Sequence, residues 1–313
     1  MPSDAATPAA LARAAPGAKT PKPRRLSRGR PLKFRPRLPG RAWRDVLGER
    51  PVGGRFRAVR RLVSVLLLTL VCMPIQALLL VLPGDAKRAF PRWYYTALCW
   101  LIGLKLRVVG EPSRGPRTLY VANHSSWLDI PVLGAKVELC FLAKQEVEGW
   151  PVIGWIARLG RTLYVSRSRN RTGDEARAFR ERLAAGDSFV LFPEGTTSDG
   201  GRVLPFRSSF LAVADAAGRV QPVSIVYDRL GGLPACRRDR PLFAWYGDMD
   251  TASHAWRLLR RTGTRCTVVF HEGFAPAAIP DRKAMAQRIE GVVAEGAAAL
   301  RQNRPAAPLP APL

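Results

Sequence analysis

The chain has 313 residues, 47% of them hydrophobic, with a formal net charge of +26 and a pI near 11.3. That length and apolar share allow one large domain or two small ones with a full core, and exclude a chain that is unfolded throughout. The charge calls for an anionic membrane surface, an acidic carrier protein or nucleic acid as partner, and five scattered cysteines without C-x-x-C spacing argue against a disulfide framework or a zinc site.

Residues 1–60 hold 16 Lys or Arg against Asp4, Asp45 and Glu49, half of the whole excess. They are rich in Pro, Arg, Ala and Gly without apolar periodicity, which predicts a disordered basic tail drawn to anionic lipid head groups. The Arg-rich, acid-poor composition also resembles a transit peptide. Leu62 to Leu82 follows as 21 residues without a charge, interrupted by Pro74 and Gln76. As one helix it would measure about 30 Å, the thickness of a bilayer core. A shorter apolar run, Trp93 to Leu104, opens with the interfacial residues Trp93, Tyr94 and Tyr95. Basic residues flank the first run on both sides, so no positive-inside asymmetry appears. Residues 61–104 therefore read either as a helical hairpin dipping into one leaflet or as a single transmembrane helix.

Beyond residue 104 the pattern alternates. Runs at 104–110, 117–123, 138–144, 162–167, 188–194, 221–227 and 265–274 have strand character. Helical stretches are expected at 149–158, 174–185, 206–217 and 281–301, the last introduced by Pro280 and Asp281. Residues 105–302 are thus expected to form an α/β domain, a mixed, largely parallel sheet flanked by helices, followed by a Pro-rich tail over 303–313.

Two segments carry candidate chemistry. His124 follows the strand ending near Ala122, where α/β folds place ligands. With Ser125 or Ser126 capping a short helix, Asp129 could reach back to one imidazole nitrogen and leave the other for a substrate hydroxyl. A His and an Asp five residues apart also fit an ordinary capping loop. The second segment, Phe189 to Ser198, is an apolar strand ending in Pro193, Glu194, Gly195 and Thr196. An acid at the end of such a run needs partners; it could bind an acceptor hydroxyl or brace the loop. The Gly-Thr-Thr backbone can present N–H groups to an anion.

H-x-x-x-x-D followed some seventy residues later by F-P-E-G-T resembles the glycerophospholipid acyltransferase family, which includes lysophosphatidate acyltransferases. Gly160 to Arg167 (GRTLYVSR) is similar to the family block ending in a phosphate-contacting arginine, and Gln221-Pro222-Val223 to its fourth block, near the acyl donor. Lys144, Pro151 and Gly154 also match in position. The resemblance spans about Arg92 to Phe274. It implies that His124 deprotonates the acceptor hydroxyl, that Asp129 orients His124, and that Arg167, Lys144, Glu194, Gly195 and Thr196 hold the acceptor. Pro193, Pro222 and Val223 would be structural or donor-side. It further implies acyl-CoA or acyl carrier protein as donor, a lysolipid as acceptor, no metal, no bound cofactor, and a membrane location with the catalytic domain on the cytoplasmic side.

The acceptor expected from the family is 1-acyl-sn-glycerol-3-phosphate. Thr197, however, stands where lysophosphatidate enzymes carry an arginine, and Ser209 where a glycine is common. The run FPEGTTSDGGRVLPF, with QPVSIVY and LFAWYGDMD, is more similar to lyso-ornithine-lipid acyltransferases, although Arg167 and Arg202 could still hold a phosphate. Of another class, a basic membrane-tethered nucleic-acid binder would suit the charge but leaves His124, Asp129 and Glu194 without a role. A serine hydrolase lacks its G-x-S-x-G elbow. His271 reads as a satisfied strand-end histidine, and His254 as an exposed one on a basic helix.

Overall fold

The computed structural model describes residues 54–150, 153–165 and 172–313, without the side chains of Lys144 and Thr172. Two helices lead the described residues. Helix α1, Gly54–Val81, begins inside the segment expected as tail, with Gly54 and Ala58 already buried. It continues through Pro74 rather than breaking there. It is also long and apolar enough to cross a membrane. Helix α2, Ala86–Ile102, ends at Gly103, whose left-handed φ of 78° lets its N–H cap the Trp100 carbonyl.

The polar residues of α1 face inward. Arg61 donates to the carbonyls of Leu259 and Arg261, Thr69 meets the Tyr94 hydroxyl at 2.9 Å, and Gln76 donates to the carbonyls of Lys87 and Leu159. Its outward face leaves Leu66, Leu67, Leu70, Val71 and Leu78 exposed, beside Trp93 and Trp100 of α2.

Among the described residues eight strands follow: β1 Leu104–Val109, β2 Thr118–Ala122, β3 Cys140–Lys144, β4 Leu163–Val165, β5 Phe189–Leu191, β6 Arg219–Leu230, β7 Leu233–Pro234 and β8 Thr264–Phe270. They form one sheet in the order β1-β8-β6-β2-β5-β3-β4, with β7 hairpinned onto β6. Every neighbouring pair is parallel except β6 with β8 and β6 with β7. The sheet is mixed and largely parallel, as the pattern predicts.

Alternation along β2 divides the core. Tyr120 and Ala122 point to a cluster with Val190, Val223, Ile225 and residues of α2, whereas Leu119 and Val121 point to one with Phe189, Leu191 and Ile289. The connecting helices are α3 Asp129–Gly134, α4 Ile153–Leu159, α5 Thr172–Ala184, α6 Arg240–Phe243, α7 Thr251–Leu259 and α8 Arg282–Arg301. The stretch expected as helix over 206–217 is a 3-10 segment, Ser208–Ala216, pinned ahead of its start by the Arg207 N–H on the Pro193 carbonyl. In α8, Asp281 caps the N–H groups of Lys283 and Ala284, and Gly296 gives room for His271, whose ring would lie 2.6 Å from a Cβ there.

Two expectations are corrected. The Pro-rich C-terminal segment is not a free tail: the Leu309 carbonyl accepts from the Glu272 N–H at 3.0 Å, and the Leu309 N–H donates to His271 Nδ1 at 3.1 Å. His254 is buried, because α7 turns the face carrying it, Leu258 and Leu259 onto the domain.

Candidate active site

The histidine loop leaves the sheet between β2 and β6. The last paired residues are Ala122 and Val223. There the Asn123 amide takes over from the backbone ladder, donating to the Ile225 carbonyl at 2.9 Å and accepting its N–H at 2.8 Å. His124 is then held at both ends of its peptide. Its N–H donates to Glu194 Oε1 at 2.7 Å, and its carbonyl accepts the Ser198 N–H at 2.8 Å.

The side chain is fixed as well. His124 Nδ1 lies 2.8 Å from Asp129 Oδ2. That oxygen also accepts the N–H groups of Ser125 and Ser126, at 2.8 and 3.0 Å, while Asp129 Oδ1 accepts the Tyr227 hydroxyl at 2.7 Å. Neither serine caps α3: the Ser126 hydroxyl accepts the Leu128 N–H at 3.2 Å ahead of the helix, and Asp129 gathers the N–H groups of the loop that precedes it, as a carboxylate does well. A carboxylate cannot donate, so Nδ1 carries the proton and the Nε2 lone pair is free. The ring stacks on Phe192 with centroids 4.2 Å apart and keeps 19% of its side-chain surface exposed, whereas Asp129 is fully buried. A buried acceptor behind a partly exposed, single-tautomer imidazole is the geometry of a general base.

Glu194 lies at the carboxyl end of β5, the strand beside β2. Its second oxygen accepts the Leu204 N–H at 2.9 Å, and the residue is 2% exposed. Burial raises its carboxyl to about 7, against the two backbone N–H groups that favour the charged form. Of the two roles open to it in sequence, this geometry fits the brace. Gly195, at φ +66°, turns the chain with its N–H on the Phe192 carbonyl, and a Cβ there would meet the Arg207 guanidinium at 3.4 Å. Thr196 is exposed, and Thr197 half-buried.

The other predicted positions fall elsewhere. Pro193 is buried, its carbonyl accepting from Arg207 N. Pro222 and Val223 are buried in β6 opposite Val121 and Ala122. Lys144 ends β3 in register with Val165, and Gly154 lies at the start of α4. Arg167 and Pro151 lie outside the described residues. Sequence reasoning missed Asn123, next to His124 but bonded to Ile225 through the register of β2 and β6, and Phe192 and Tyr227, which β5 and β6 bring to the histidine loop. A cavity of about 620 Å³, lined by Arg88, Lys136 and Arg161 among others, sits at the amino-terminal ends of β2, β5 and β3 and holds none of the predicted site residues.

The family model described as Acyltransferase matches residues 105–226, a span that contains His124, Asp129 and Glu194 and stops one residue short of Tyr227. The lyso-ornithine lipid O-acyltransferase of Brucella abortus (strain 2308) is 40% identical over 249 residues, 77% of this chain and 93% of that protein. The chain belongs to this acyltransferase family. A second relative, the 1-acyl-sn-glycerol-3-phosphate acyltransferase of Neisseria gonorrhoeae, is 34% identical over 193 residues, 60% of this chain and 72% of that protein. The fold is shared with the crystal structure of the 1-acyl-sn-glycerophosphate acyltransferase from Thermotoga maritima, with a TM-score of 0.54 and 24% identity over 77% of this chain and 98% of that one. This acyltransferase therefore acts on a lysolipid, and its histidine loop and Glu194 strand fall inside the matched domain.

Proposed function

We propose that the acyltransferase moves a fatty acyl group from acyl-CoA or acyl carrier protein to the free hydroxyl of lyso-ornithine lipid, which puts that acceptor ahead of the lysophosphatidate first expected. The observation that carries the chemistry is His124, with Nδ1 bound to buried Asp129 and Nε2 free at the surface of the site. Nε2 takes the acceptor's hydroxyl proton as its oxygen attacks the thioester carbonyl. The tetrahedral adduct then collapses, breaking the C–S bond, and the imidazolium returns the proton to the departing thiolate. Asp129 stabilises the imidazolium formed between the two transfers. The thioester supplies the driving force, so the step requires neither metal nor bound cofactor.

Two observations support the acceptor. Thr197 replaces the guanidinium fork that reads a phosphate bidentately. Four lyso-ornithine lipid O-acyltransferases are 34–40% identical to the chain, among them the Brucella abortus protein matched over 93% of its length.

The leading helices suit a membrane-surface hairpin better than a spanning helix. Arg61 and Gln76, 15 positions apart, tie α1 to carbonyls of the domain over about 22 Å of its length. A helix so attached lies along the domain and offers its other, apolar face to one leaflet. Basic residues at both ends then stay on one side, which we take to be cytoplasmic, where the thioesters are made.

The test is an acyl-transfer assay on the full chain in membranes, with labelled acyl-CoA and acyl carrier protein, and with lyso-ornithine lipid and lysophosphatidate offered separately. The expected product is ornithine lipid, absent with H124A. Product from lysophosphatidate alone would overturn the acceptor assignment and keep the chemistry. Unchanged activity in H124A would overturn the chemistry.

A further inference from the structure

Behind the histidine loop, at the carboxyl end of β6, lies a second cavity of about 40 Å³. Its walls include Ser125, Ser198, Tyr227 and three arginines, Arg202, Arg240 and Arg301. It shares a wall with the base: Ser125 follows His124, Ser198 donates to the His124 carbonyl, and Tyr227 donates to Asp129. A water molecule's share of the liquid is about 30 Å³. The cavity thus takes one small polar group and excludes a nucleotide base or a sugar.

Its charge is one-sided. Among the described residues no carboxylate is ion-paired with Arg202, Arg240 or Arg301, while Asp228, the acid in the wall, is already held by Arg265 and Thr267. Burial and then the neighbouring Arg240 charge press the Arg301 guanidinium below its ordinary value, opposed by Asp199 and Glu194. Like charges gathered around a cavity oppose folding unless an anion comes between them, and two guanidinium forks suit a planar, two-oxygen anion.

The opposite wall is the loop from Thr197 to Arg202. The Asp199 side chain accepts the Gly201 N–H at 2.8 Å, and a Cβ on Gly201 would lie 2.9 Å from Asp199 Oδ1 and 3.2 Å from Arg240 Nη1. The bare glycine lets this loop close on Arg240, with the exposed Asp199 carboxylate next to the wall residues Ser198 and Gly200. The same loop starts at the position where the phosphate-reading arginine is missing.

We propose that Arg240 and Arg301 clamp the carboxylate of the acceptor's amino-acid head, with Asp199 facing its ammonium, while the acceptor hydroxyl reaches His124. This rests on the lyso-ornithine reading above. An N-acylated ornithine keeps one carboxylate and one ammonium, matching a pocket walled by arginines with an exposed acid on the adjoining loop. A phosphate head has no ammonium, and Asp199 would repel it.

The experiment measures initial rates for the full chain in detergent with three acceptors: lyso-ornithine lipid, its carboxyl methyl ester, and lysophosphatidate. R240Q, R301Q and R301K are compared with the unaltered protein, and thermal unfolding of each shows that it is folded. For the free acid, KM should rise at least tenfold in R240Q and R301Q and by less in R301K, with kcat little changed. The ester should be about as poor a substrate for the unaltered protein as the acid is for R301Q, and no poorer for the variants. An ester used as well as the acid, or equal losses on acid and ester, would overturn the clamp while leaving the acceptor reading intact. Absence of transfer to lyso-ornithine lipid by the unaltered protein would overturn both.

Discussion

His124 and His271 do opposite things with the same ring. His271 has both nitrogens taken inside the fold: the Leu309 N–H donates to Nδ1, and Nε2–H donates to Ser224 Oγ, which in turn donates to the Val293 carbonyl. Burial pushes it down to about 4, so it is a neutral connector between β6, α8 and the C-terminal segment. His254 is a second such case, with the Trp127 indole donating to Nδ1, the Ala244 carbonyl on Nε2, and a value near 4 from burial and Arg257. Only His124 has its proton pinned on Nδ1 by a carboxylate and its other nitrogen unclaimed. What separates a base from a brace in this chain is a free ring nitrogen on a partly exposed ring, not sequence neighbourhood.

The largest expected effect breaks that comparison at its centre. H124A should lower kcat by about 10²–10⁴, the usual worth of a general base, with little change in the denaturation midpoint, because the ring is partly exposed. H271A should do the reverse. It leaves a cavity against Gly296 and an unpaired Leu309 N–H, a loss of about 2–4 kcal/mol in stability with kcat kept. Initial rates and denaturant curves on both variants decide it; parallel losses in the two would mean that the rings do not differ in kind.

How much of this was legible follows from which contacts are local. The His124–Asp129 pair spans five positions, and the spacing alone brings it within reach once a turn starts between them. Glu194 was conspicuous as an acid after an apolar strand, but its partners, the N–H groups of His124 and Leu204, come from other segments, so its role stayed open. Tyr227 and Asn123 were not legible. Tyr227 lies 98 positions from Asp129, and a tyrosine in a β-rich run looks like core. The burial of His254 was misread because Arg257, Arg260 and Arg261 colour that stretch basic, while its 3.6-residue apolar face is short. Helix α1 persisted through Pro74 because its inward contacts at Arg61 and Gln76 hold both halves.

The next largest effect separates the raised acid from the depressed imidazoles. Glu194 at about 7 sits above its ordinary 4.5, so the fold prefers it protonated; its contribution is full below 4.5 and is lost as pH rises through 7. His254 and His271, near 4 against 6.5, run the other way: their contribution is full above 6.5 and is lost as pH falls through 4. E194Q cannot titrate. Its stability relative to the unaltered protein should therefore climb by roughly 3 kcal/mol between pH 4.5 and 7, on top of a constant loss from the amide that meets an N–H it cannot accept. Denaturant curves at several pH values test this. A difference between the two proteins that does not vary with pH would remove the raised acid from the account.

The smallest effect sharpens the comparison by touching the base through its partner. Tyr227 stacks on Phe243 with centroids 5.2 Å apart and supplies the donor on Asp129 Oδ1. Y227F keeps the stack and removes that donor, leaving one oxygen of a fully buried carboxylate without a partner. The expected cost is about 1–2 kcal/mol in stability. The rate should fall by less than tenfold, since Oδ2 keeps the two backbone N–H groups and the His124 Nδ1–H that fix the ring. KM for the acceptor should move less than in R240Q, because the Tyr227 hydroxyl, although in the cavity wall, is spent on Asp129. A rate loss as deep as that of H124A, at unchanged stability, would instead put the phenol among the reacting groups.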